Sequence, residues 1–141
     1  MKNILILQGP NLNLLGLKSS QFNEKVTLDK LNKEIKAFAN RKNLNIKTYQ
    51  THKQFLAINI LQRNRNWADA VLLIPTSWAR DNYTLLETIT LINNPTAIVY
   101  FSNGFSFGTK KKDSILKSEI ITEFTGHPID ACLNGLKHLA G

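Results

Sequence analysis

The chain has 141 residues, 43% hydrophobic and 20% charged, which excludes disorder and fibrous repeats and is enough to bury a core unaided by metals or disulfides. A single cysteine, Cys132, excludes an internal disulfide framework and suits a cytosolic setting. Eighteen basic against ten acidic residues leave +8 and point to an anionic partner, but only Lys110-Lys111-Lys112 form a run and aromatic residues do not interleave with basic ones, so nucleic acid is not the expected one. The elements then follow in chain order. Ile4 to Gln8 is a short buried-type strand stopped by Gly9-Pro10. Thr27 caps a helix whose apolar face is Leu28, Leu31, Ile35 and Phe38. Asn45 to Gln50 is a second strand, and Phe55, Ile58, Ile60 and Leu61 mark a helix closing near Asn64 to Asn66. Ala70 to Ile74 is a third strand that Pro75 ends, and Asp81 or Asn82 caps a helix carrying Leu85, Leu86, Ile89 and Ile92. Thr96 to Phe101 is a fourth strand, and a fifth lies near Ile120 to Phe124. Pro128 then opens a last helix with Ile129, Leu133, Leu136 and Ala140.

Strands alternating with helices imply a doubly wound parallel sheet in an α/β domain spanning 1–141, with ligands held beyond the carboxyl ends of the strands. The loops at 9–25, 50–54, 75–82 and 101–112 therefore form the expected functional edge. No apolar run reaches the roughly 18 residues that a bilayer span needs, and the stretch from Met1 to Gln8 is too short for a signal peptide. The expectation is a soluble, cytoplasmic protein with no membrane contact.

The segment Gly9-Pro10-Asn11-Leu12-Asn13-Leu14-Leu15-Gly16, directly after the first strand, is the sharpest signal in the chain. It resembles the opening signature of the type II 3-dehydroquinate dehydratases, flavodoxin-like five-stranded enzymes of the shikimate route. Phe101-Ser102-Asn103 after the fourth strand is similar to that family's substrate-carboxylate loop, and the likeness continues to Gly126 without an obvious gap. The resemblance implies a flavodoxin-like fold and a homo-oligomer, with trimers assembled into a dodecamer. It also implies a mechanism. A tyrosinate favoured by an arginine removes a proton beside a ketone, an asparagine-held water stabilises the enolate, and a histidine protonates the departing hydroxyl.

Position by position, the resemblance also shows where this chain departs from the pattern. Lys18 stands at the arginine and Asn23 at the tyrosine, with Phe22 beside it. Ile74 replaces the asparagine, and Arg80 replaces a ligand histidine. Glu87 replaces the acid that reaches a neighbouring subunit. Ile98 replaces the glutamate that supports the catalytic histidine, and Tyr100 replaces that histidine. Two further arginines fall at Phe107 and Lys111. None of the three tyrosines, Tyr49, Tyr83 and Tyr100, lies within 17–25, so the standard mechanism lacks its base. No catalytic residue of that mechanism is expected, Tyr100 being only a weak candidate acid.

The resulting reading is a pseudoenzyme: a divergent homologue without standard dehydratase activity, holding a small anionic molecule with Asn11, Arg80, Phe101, Ser102, Lys111 and Lys18. One alternative is an active hydro-lyase using substitute residues. Another is a structural or regulatory paralogue whose pocket is filled by Phe22, Ile74, Ile98, Phe105 and Phe107. Trp78 is expected at a subunit contact, Cys132 in the core, and Lys110 to Lys112 in a solvated run with Lys111 its one pocket member. His127 and His138 show no metal-ligand spacing, so neither metal nor cofactor is implied.

Overall fold

The computed structural model describes all 141 residues, Met1–Gly141. β1 (Lys2–Gln8), β2 (Leu44–Gln50), β3 (Ala70–Ile74), β4 (Thr96–Phe101) and β5 (Ile121–Gly126) are all parallel and stand in the order β2-β1-β3-β4-β5. That order is the flavodoxin-like one, with its reversal at β1 and β3. The apolar runs in β1, β3 and β4 are buried on both faces, as parallel central strands require. β5 runs to Gly126, slightly beyond the stretch expected from its apolar residues.

Alternation along β1 divides the core in two. Ile4 and Ile6 face a layer made by α2 (Leu28–Arg41) and α5 (Pro128–Ala140), which contribute Leu31, Ile35, Phe38, Cys132 and Leu136. Leu5 and Leu7 face α3 (Gln54–Arg63) and α4 (Tyr83–Ile92), with Ala57, Leu61, Leu85 and Ile89. The helices begin where their caps predict. Thr27 accepts the Lys30 amide through its side chain, and of the two candidates for α4 it is Asn82 that accepts, from the Leu85 amide at 3.1 Å. A short helix, α1 (Leu15–Ser19), follows a single 3-10 turn at Leu12–Leu14. Both lie inside the loop that the sequence pattern leaves irregular.

At the functional edge the loops after β1 and β3 lie against each other. Gly9 donates to the Ile74 carbonyl at 2.8 Å, and a β-carbon on Gly9 would come 2.6 Å from the Pro75 oxygen. Thr76 adopts φ 47°, a costly conformation for a β-branched residue. It is held there by its hydroxyl donating to the Pro10 carbonyl at 2.9 Å and by its own carbonyl accepting the Thr109 amide at 3.1 Å. These bonds tie together the loops that follow β1, β3 and β4. No helix is long and apolar enough to cross a membrane.

Candidate functional site

The principal opening is a cleft of about 700 Å³ beyond the ends of β4 and β5. Tyr100, Phe101 and Ser102 form one wall, and four lysines, Lys110, Lys111, Lys112 and Lys117, line it with Asn103, Ser106 and Thr125. Of the residues expected at an anion site, Phe101, Ser102 and Lys111 meet here. Asn11 and Lys18 lie apart, in a smaller cleft of about 310 Å³ shared with Leu14, Leu17, Gln21 and Phe107.

Arg80 lines neither cleft. It is exposed and makes no ion pair with Asp81 or Glu87. The expectation of one site joining Arg80, Asn11 and Ser102 is therefore corrected. The single 3-10 turn at Thr76–Ala79 bends the chain so that Trp78 and Ala79 turn inward, leaving the next side chain in solvent. Trp78 is buried in its own chain's core and is not available to a subunit contact. The Ser102 amide, expected to face an anion, donates instead to the Gly126 carbonyl at 3.0 Å.

The lysine run is exposed, as expected, but all three of its lysines and not Lys111 alone line the cleft, and the run is anchored at both ends. Thr109 before it and Ser114 after it are both buried. Thr109 is tied by its amide to Thr76, and the Ile115 amide donates to the Ala79 carbonyl at 2.8 Å. Ser114 sits 2.7 Å from the Tyr100 hydroxyl, which is also 2.7 Å from Glu123 Oε2. A carboxylate only accepts, so the single phenolic hydrogen goes to Glu123 and the Ser114 hydroxyl donates to the phenolic oxygen. The Ser114 oxygen in turn accepts the Leu116 amide at 3.1 Å. Lys117 Nζ completes the network with both Glu123 oxygens at 2.8 and 2.6 Å and the Lys111 carbonyl at 3.1 Å. Its three hydrogens are thereby used.

Burial pushes the Tyr100 phenol well above the ordinary tyrosine range; Ser114 pulls it partly back, and the neighbouring Glu123 raises it again. Tyr100 is a buried neutral donor committed to Glu123, a poor arrangement for a proton shuttle. Glu123 stands directly opposite Ile98 in the β4–β5 register. The resemblance puts a supporting glutamate at Ile98, and here a carboxylate reaches the same region from the neighbouring strand. Sequence reasoning missed Glu123, Lys117 and Ser114 because the loop's return path, and not any spacing, brings them together.

A second cluster gathers around Gly104 and Phe105. The Phe22 ring packs against Gly104, where any β-carbon would overlap it, and lies 5.7 Å from the Phe105 ring. Phe105 stacks edgewise on His127 at 5.0 Å, and His127 Nε2 meets Glu24 Oε1 at 2.6 Å. The Ile129 amide donates to Nδ1 of the same imidazole, so the hydrogen on Nε2 is the one that reaches Glu24. Phe105 and Phe107 pack on the same core layer as Ile74, whereas Ile98 belongs to the opposite layer. The expected pocket filling by five apolar residues is therefore split between two faces.

The sequence matches the family model for dehydroquinase class II over residues 2–140. The 3-dehydroquinate dehydratase of Carboxydothermus hydrogenoformans is 27% identical over 133 residues, covering 94% of this chain and 86% of that one. The enzyme of the same name from Pelotomaculum thermopropionicum is 31% identical over 113 residues, covering 80% of this chain and 78% of that one. Among solved structures, the type II dehydroquinase from Butyrivibrio crossotus superposes with a TM-score of 0.81 at 18% identity, covering 99% and 98% of the two chains.

Proposed function

The chain belongs to the class II dehydroquinase family, and from that premise we propose that it has given up the standard dehydratase reaction and kept a basic cleft for a small anion. The observation that carries this reading is the commitment of the Tyr100 hydroxyl to Glu123 and Ser114. By resemblance Tyr100 holds the place of the catalytic acid, and that acid must be free to deliver a proton within hydrogen-bond reach of the leaving hydroxyl. The place of the base supports the same reading. Asn23 cannot become a phenolate, and its neighbour Phe22 is packed on Gly104. The open cleft beside these closed positions favours binding over a wholly filled paralogue.

The test is turnover of 3-dehydroquinate by the purified protein. Loss of a positioned base and a positioned acid, each worth about 10²–10⁴ in rate, predicts activity at least about a thousandfold below a working relative. Turnover at a relative's level would overturn the reading. If Tyr100→Phe then abolished it, the alternative of an active hydro-lyase with Tyr100 as its acid would take its place.

A further inference from the structure

We infer that the large cleft takes a phosphorylated small molecule, its dianionic phosphate held by Lys110, Lys111 and Lys112 and the hydroxyls of Ser102 and Ser106. The inference deepens the reading of the cleft as an anion site and rests on it. Four lysines and no carboxylate line the cleft; with Glu123 paired to Lys117 and Asp113 next in sequence to the run, an excess of two positive charges remains. Lys117 is spent on Glu123 and the Lys111 carbonyl. The side chains of Lys110, Lys111 and Lys112 make no hydrogen bond or ion pair within the chain, and neither do those of Ser102, Ser106 and Thr125. These are unspent donors on one wall system.

Geometry decides between anions. A single carboxylate is best matched by the planar fork of an arginine, and no arginine lines the cleft. Lysine is a compact point charge, and several such charges around one locus suit a tetrahedral group with two charges and several acceptor oxygens. The buried Thr109 and Ser114 fix the backbone on either side of the run, which keeps all three lysines on the lining of the cleft. A volume of about 700 Å³ falls in the range of small-molecule sites and leaves room for an organic body against Phe101 and Tyr100.

Phenyl phosphate and benzoate test this as a matched pair, carrying the same ring on a dianion and a monoanion. Calorimetric titration of the full chain at pH 7.5 and fixed ionic strength should show phenyl phosphate binding at least about tenfold tighter than benzoate. The preference should shrink at pH 5, where phosphate monoesters, with a second pKa of about 6, lose their second charge. Replacing all three of Lys110, Lys111 and Lys112 by alanine should weaken phenyl phosphate at least about tenfold, and Ser102→Ala should weaken it less. Lys36→Ala on α2 should leave it unchanged. These lysines are exposed, so the variants keep the fold. Equal or tighter binding of benzoate would overturn the inference while leaving the proposed loss of dehydratase activity standing. An unaltered affinity in the triple variant would also overturn it. So would a single-stranded oligonucleotide that bound far more tightly than phenyl phosphate and displaced it.

Discussion

Tyr100 shows how one residue's surroundings set its chemistry. Its aromatic body belongs to a core position at the end of β4, and only its hydroxyl needs a partner, which Glu123 and Ser114 supply. Because burial raises its pKa, the folded chain holds the phenolic proton more tightly than the unfolded chain, whose tyrosines titrate near about 10. The sign follows from linkage: this contribution to stability is complete below about pH 10 and is lost as pH rises towards the folded value. Ultraviolet titration of the native protein should therefore show Tyr100 ionising only on unfolding. Tyr100→Phe should cost about 1–3 kcal/mol in denaturant unfolding at neutral pH, since Ser114 and Glu123 lose their partner. The loss of stability above pH 10 should be smaller in that variant than in the wild type. The sequence offered Tyr100 only as a weak candidate acid by resemblance; its partners Ser114 and Glu123 come from the fold.

At the scale of elements, strands and helices announce themselves and the loops do not. Ala70–Ile74 and Thr96–Phe101 fall where their apolar runs put them, and Thr27 and Asn82 cap as their side-chain chemistry predicts. The segment around Phe22 is different. Its conformation depends on Gly104, far along the chain, whose missing β-carbon admits the Phe22 ring. Gly104→Ala should evict that ring without unfolding the domain, because the ring is partly exposed and can swing into solvent. The expected readouts are a stability loss of about 1 kcal/mol and faster amide exchange or proteolysis confined to residues 20–25. If exchange there stayed as slow as in the wild type, the aromatic contact would not be what holds the loop.

At the scale of the whole molecule, the chain leaves Leu17, Phe55, Tyr83 and Leu91 exposed. These, and not Trp78, are the apolar groups free to meet another copy, and by family likeness we expect an assembly. Light scattering should give a species well above 16.0 kDa. A monomer at micromolar concentration would remove assembly from the account. The sequence by itself determined the α/β class, the order of the five strands and the four long helices, and the family, because each of these is written locally in periodicity, turn residues and one contiguous signature. Through the resemblance it also supplied the candidate site residues. Only the tertiary structure decided which of those residues meet. Lys111 and Ser102 share a cleft while Asn11 and Lys18 line another and Arg80 faces solvent. Glu123 was found only there as well, because a bond between neighbouring strands depends on how a loop returns and how a sheet is registered. Side chains that meet across a fold leave no periodic trace along the chain.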